Sequence, residues 1–200
     1  MILPDKVKRI IERLSEWPSI GPRQATRLAF YLVGRGNGSL REAVADLNSL
    51  QDIKLCENCF FVHENSGALC NICGDSNRKT SIIAVIEKET DLISIENTRK
   101  FNGRYFIIGP LSRLGVLGVW QKNRLDKLKT FIQRDLDGKA DEIILALNPT
   151  TGGDFGATIL VKELSPLANR ITRLGRGLPM GGEIEFADDE TLSEALAKRN

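Results

Sequence analysis

Cys56-Glu57-Asn58-Cys59, ten further residues, and then Cys70-Asn71-Ile72-Cys73-Gly74 form the stretch that organises this 200-residue chain. All four cysteines of the sequence fall inside it. Two Cys-x-x-Cys pairs at this spacing point to one tetrahedral metal site, because four thiolates need paired ligands on two tight turns, and Gly74 lets backbone approach the sulfurs. Structural zinc is the expected occupant. An iron centre, disulfides or a redox pair are the other readings, and disulfides fit poorly with a reducing cytoplasm. A segment this short cannot build its own core, so the metal would supply its folding energy. Four cysteines already close the coordination shell, so His63, between the pairs, is expected to be packed or exposed rather than ligating. A closed shell also leaves no position for a catalytic water.

Toward the N-terminus the pattern is helical. Val7, Ile10, Ile11 and Leu14 recur at helical spacing, as do Ala25, Leu28, Ala29 and Leu32. Gly34-Arg35-Gly36-Asn37-Gly38 reads as a plain connector, with Ser39 as the N-cap of a third helix running to Leu47 or Leu50. Between the first two helices stands Trp17-Pro18-Ser19-Ile20-Gly21-Pro22-Arg23-Gln24-Ala25-Thr26-Arg27. Gly21 suits a turn that needs positive φ, and Pro22 suits the first helical position. Free N–H groups at such a helix start accept phosphate, and Arg23 and Arg27, one turn apart, would line one face beside it. The stretch resembles a helix-hairpin-helix motif, with Ser19 in place of the first glycine of the usual Pro-Gly-Ile-Gly hairpin. Residues 1 to 41 carry eight Lys/Arg against three Asp/Glu, so the basic character sits at this end. Backbone-directed DNA binding with little sequence preference and strong salt dependence is the expectation, with Arg23 and Arg27 as contacts and Lys6, Lys8 and Arg9 as weaker candidates.

Toward the C-terminus, apolar runs at Ser81 to Ile86, Tyr105 to Ile108, Glu142 to Leu147 and Arg170 to Leu174 read as strands, with helices expected near 90 to 98, 123 to 135 and 155 to 165. That alternation predicts a mainly parallel α/β sheet. Glu87 follows the first of these strands, with Asp91 four residues on, at the edge where such sheets hold their sites. Asn148-Pro149-Thr150-Thr151-Gly152-Gly153-Asp154 resembles the Asp-Pro-Asp-Arg-Glu-Gly-Glu signature of Toprim domains. Active Toprim enzymes hold Mg²⁺ with the paired aspartates, which here are the neutral Asn148 and Thr150. A Mg²⁺-dependent nuclease or topoisomerase-like enzyme resting on Glu87 and Asp154 is the competing reading, and a zinc-stabilised protein adaptor is the third.

Hydrophobic content of 42% with 27% charged residues is ordinary for a soluble globular protein, and no apolar run approaches the roughly 20 residues of a membrane span. The N-terminus lacks secretory features, so a cytoplasmic protein without membrane contact is expected. No Gly-x-x-x-x-Gly-Lys-Ser/Thr loop occurs. The acidic tail around Asp188-Asp189-Glu190 therefore reads as an inter-subunit contact or solvated surface rather than a nucleotide site.

Hairpin, Cys₄ segment, Asn-Pro-Thr loop and the tail Arg176-Gly177-Leu178-Pro179-Met180-Gly181-Gly182 follow one another as in the RecR family of bacterial recombination proteins, which the chain resembles from end to end. In that family Asn-Pro-Thr commonly continues Val-Glu-Gly-Glu; here it continues Thr151-Gly152-Gly153-Asp154. The resemblance implies a multidomain α+β protein: a helix-hairpin-helix DNA-binding domain at 1 to 53, a Cys₄ zinc finger at 54 to 78, a Toprim-like domain at 79 to 170 and a C-terminal assembly segment at 171 to 200. It implies a non-enzymatic mediator that works with RecO, and in some bacteria RecF, to help load RecA at single-strand gaps. It also implies a ring-shaped homotetramer acting as a clamp on DNA, with Glu87, Asp91 and Asp154 as acids facing RecO.

Overall fold

A computed structural model of the chain describes residues 2–112, 116–197 and 199. It contains two compact units, Met1–Ile53 and Lys54–Asn200.

The first unit is three helices: α1 (Asp5–Ser15), α2 (Pro22–Gly34) and α3 (Gly36–Ser49), closed by a 3₁₀ turn at Leu50–Asp52. Ala25 and Ala29, one turn apart on α2, are fully buried, as is Leu14 of α1. Small side chains at this spacing let the two helices approach closely. The hairpin between them differs from expectation at one residue: Gly21 is extended, with φ −81 and ψ 167, while Ser19 takes the left-handed conformation at φ 64. The positive φ thus falls where Ser19 replaces the motif's first glycine. The expected Gly-rich connector is also absent as a loop. A single residue, Arg35, separates α2 from α3, and Ser39 lies inside α3 rather than capping it. Gly36, at φ +84, supplies a chain reversal that a side chain would oppose, so the helix restarts three residues early. None of the residues of α3 is buried.

The second unit opens with a short antiparallel ribbon, β1 (Lys54–Leu55) against β2 (Val62–His63), followed by a single turn of helix, α4 (Asn71–Gly74). A four-stranded, wholly parallel sheet follows, in the order β4-β3-β5-β6, built from β3 (Ile82–Ile86), β4 (Arg104–Ile107), β5 (Glu142–Ala146) and β6 (Ile171–Arg173). The fourth strand thus lies beyond residue 170. Crossovers are made by α5 (Glu89–Asn97), α6 (Val119–Asp135) and α7 (Thr151–Leu164). Ile83, Val85, Ile86, Phe106, Ile107, Ile143 and Leu145 are almost wholly buried, as the unbroken apolar runs demand of a sheet covered on both faces.

Two crossover helices begin earlier than their periodicity suggests. Helix α6 starts at Val119 because Gln121 accepts from the Gly118 N–H at 2.7 Å and donates to the Pro110 carbonyl at 2.5 Å. Helix α7 starts at Thr151, capped by the Thr150 hydroxyl, which accepts from Gly153 N–H at 3.1 Å. Its glycines argue against a helix by propensity, yet a Cβ at Gly153 would lie 2.0 Å from the Asn148 carbonyl oxygen, so close packing dictates the residue. After β6 come a 3₁₀ turn at Ile184–Phe186 and α8 (Asp189–Ala197), whose start is capped by Asp188 through Thr191. Among the described residues no helix is long and apolar enough to cross a membrane.

Candidate metal centre and nucleic-acid interface

The two cysteine pairs fold as matching turns. Phe60 N–H donates to the Cys56 carbonyl at 2.9 Å, and Gly74 N–H donates to the Cys70 carbonyl at 2.8 Å. Each turn aims a backbone donor at sulfur: Phe61 N–H at Cys59 Sγ, 3.4 Å, and Cys73 N–H at Cys70 Sγ, 3.5 Å. All four side chains are buried, none is disulfide-bonded, and their sulfurs lie within 4.8 Å of one another. A tetrahedron with metal–sulfur bonds of about 2.3 Å has edges of about 3.8 Å, so the cluster fits a single ion. Hydrogen bonding among the thiols pushes Cys56 far down from the ordinary thiol value and Cys59 far up. A divalent metal bound there would displace the thiol protons. Among the described residues these cysteines are the one group of His, Cys, Asp or Glu placed to hold a metal. His63 stays outside it: the ring is buried and its Nδ1 accepts from Asn65 N–H at 3.2 Å.

On the helical unit, Arg23 and Arg27 are exposed on α2 and form no ion pair among the described residues. Pro22 lacks an N–H, and the N–H groups of Arg23 and Gln24 precede the first helical acceptor, which serves Ala25. The hairpin therefore offers two free backbone donors at the positive end of a helix with two cations beside them. Lys6 and Arg9 are exposed on α1, whereas Lys8 is held by Asp5 at 2.7 Å. A shallow groove of about 800 Å³, lined largely by Ile20, Leu28, Phe30 and Tyr31, borders Arg27.

The three acids singled out from the sequence are not gathered together. Glu87 is buried and accepts from Asn148 at both its backbone N–H (2.8 Å) and its side-chain amide (2.9 Å), and from Leu111 N–H at 3.3 Å. Asp91 caps its own helix, accepting from Lys88 N–H at 2.9 Å. Asp154 is ion-paired with Arg173 and Arg176, and hydrogen bonding from Arg176 and then Arg173 holds its carboxyl below the usual carboxylate range.

Residues 81–175 match the Toprim domain family, and residues 177–200 match the family described as RecR, C-terminal. Over nearly its whole length the chain is similar to proteins named Recombination protein RecR. It is 36% identical to that of Frankia alni across 96% of the chain and 95% of the relative, and 36% identical to that of Myxococcus xanthus across 98% of each. With that of Roseiflexus castenholzii it shares 37% identity across 99% of the chain and 95% of the relative.

The chain belongs to the RecR family.

Several contacts in this RecR family member lay outside the reach of motif reading. The Cys₄ segment is fastened to β4 at both turns: Cys59 carbonyl accepts from Ile107 N–H at 3.1 Å, and Cys73 carbonyl accepts from Arg104 Nη1 at 2.8 Å. Phe60, at φ 65, meets Phe106 edge-on at 5.5 Å. Arg124 of α6 lies over Phe60 at 4.3 Å and over Trp120 at 4.4 Å, and donates to the Ile107 carbonyl at 2.8 Å. Burial pushes the Arg124 guanidinium down from its usual value, with Glu89 opposing. The single sequence signal was an aromatic residue directly after the first cysteine pair, a position where a positive φ favours glycine. Of the partners of Asp154, Arg173 had no motif to mark it, and Arg176 stood in the tail motif with nothing there to link it to Asp154.

Proposed function

We propose that this chain is a non-enzymatic DNA-binding mediator of recombinational repair, working with RecO and, where present, RecF to help RecA load at single-strand gaps. The observation that carries the reading is the hairpin: exposed Arg23 and Arg27, one turn apart, beside two free N–H groups at the start of α2. This array suits phosphate, and phosphate contacts carry no sequence information, which matches a factor that must act at any gap. Lys6 and Arg9 add charge on α1. Family membership supports the partners.

Cys56, Cys59, Cys70 and Cys73 hold zinc, which cross-links the segment and, with its shell closed by thiolates, has a structural role. The non-enzymatic reading draws support from Asn148 and Thr150. Both are neutral where Toprim enzymes place ligating acids, and Glu87 is occupied in holding Asn148. Of the acids, Asp91 and Asp154 are accessible enough to meet RecO, while buried Glu87 fixes the loop between them. The exposed apolar face of α3 supports self-association into a homotetrameric clamp, in which several weak hairpins act together.

The test is a DNA-binding titration across a salt series with wild type and the Arg23→Ala, Arg27→Ala double variant, oligomeric state being measured in parallel. The slope of log affinity against log salt is expected to become shallower by about two, roughly one per arginine, at unchanged assembly. Unchanged affinity and slope would move DNA off the hairpin.

A further inference from the structure

Arg104 is a cation without an anion. Its side chain is half-buried, its Nε–H is buried with no acceptor among the described residues, and no carboxylate pairs with it there. Its neighbour Arg78 is satisfied by Glu96. Orphaned buried donors are rare in folded proteins, and a desolvated guanidinium without a counter-charge is rarer, so the site implies an anion.

The backbone says where that anion lies. Arg104 and Phe106 stand two residues apart on β4 and therefore share a face of the sheet. Phe106 on that face touches Phe60 of the first cysteine turn, and Arg104 Nη1 donates at 2.8 Å to the carbonyl of Cys73, itself one of the four sulfur-bearing residues. Four thiolates around a divalent ion carry a dianionic charge, and among the described residues the nearby acids Asp75 and Glu96 pair with Arg78 while none forms an ion pair with Arg104. We propose that Arg104 is the positioning residue of the metal centre: its charge offsets the dianionic tetrathiolate, and its hydrogen bond to Cys73 fixes the second turn. The inference rests on the zinc reading above. It predicts that the finger's grip on metal is set in part from the sheet. Partners that orient or neutralise metal ligands typically contribute tenfold to hundredfold in affinity.

The full-length chain, its Arg104→Met variant and its Arg104→Lys variant are titrated for zinc affinity by chelator competition. The Met variant is expected to bind zinc 10- to 100-fold more weakly, with the Lys variant within about threefold of wild type. Wild-type affinity in the Met variant, or equal loss in Met and Lys variants, would overturn the charge role. Cobalt substitution supplies a second readout: a thiolate-to-cobalt band of wild-type intensity in the Met variant shows that the four-sulfur site still forms, so weakened affinity then reports the missing charge and not a collapsed finger. Loss of that band in both variants would overturn the proposal. A wild-type chain that binds no zinc would overturn the metal reading itself, and that result appears before any variant is measured.

Discussion

The sheet unit builds a core of large apolar side chains, with Ile83, Phe106, Ile143 and Leu160 almost wholly buried, although Phe155, Met180, Ile184 and Phe186 of the same unit stand exposed. In the helical unit Leu14, Ala25 and Ala29 are the buried apolar residues, while Phe30, Tyr31, Val33, Val44 and Leu47 are about half exposed or more. One unit has a core of large side chains, and the other buries chiefly two alanines and a leucine. Its exposed apolar side chains leave surface that an interaction could cover. A helical segment of about 50 residues buries too little to be robust by itself, so its stability is expected to come from association.

Metal removal is the strongest way to break this contrast. Structural zinc contributes on the order of 10 kcal/mol to folding of its own segment. Chelation is therefore expected to melt the Cys₄ segment and lower the calorimetric transition of the sheet unit, because both cysteine turns are fastened to β4. Hydrogen-exchange protection in α1 and α2 should be unaffected. Next come paired truncations. Leu160→Ala, in the sheet core, is expected to cost about 2–5 kcal/mol by denaturant titration. Val44→Ser, on exposed α3, is expected to cost under about 0.5 kcal/mol in fold while lowering the association state seen by sedimentation. Equal costs at the two positions would erase the distinction between the units.

Smaller effects sharpen it. Ser19→Gly should stabilise the hairpin by roughly 0.5–1 kcal/mol, since a non-glycine residue in the left-handed region costs about 1–2 kcal/mol and glycine's entropy returns part of it. A thermal melt of the variant reads this directly. The smallest effect concerns Asp154, whose carboxyl is held low by Arg176 and Arg173. A depressed carboxylate contributes stability above its unfolded pKa of about 3.9, and that contribution disappears as pH falls through the folded value. Both sides of the ion pair are partly exposed, so the loss should stay under about 1 kcal/mol, and Asp154→Asn should remove this increment of acid sensitivity below about pH 4.

Much of the architecture was legible because its signals are strong and local. The cysteine spacing defines a four-thiol cluster, and the unbroken run from Ile82 to Ile86 can hardly be other than a strand covered on both faces. Helix starts were harder. The Gly152-Gly153 opening of α7 looks like loop until the Asn148 carbonyl is seen where a side chain would stand, and Gly36 looks like one residue of a flexible tract rather than a reversal point. The candidate sites divide the same way. Arg23 and Arg27 announce themselves by spacing on one helix. Glu87 was visible as an acid at a strand end, but its burial under Asn148 depends on a residue 61 positions away. Arg104 and Arg124 act through contacts between distant segments, which no local pattern records.

The order of strands carries one more consequence. β4 is an edge strand, and Ile107, which would otherwise point a bare amide outward, donates it to Cys59. Exposed strand edges recruit other strands, and proteins guard them with bulges, charges or a covering segment. Here the guard is the Cys₄ knuckle. With the proposed metal holding that knuckle, a chain starved of the ion during synthesis is expected to present an open edge to its neighbours, and aggregation rather than simple loss of activity would be the mark of deficiency.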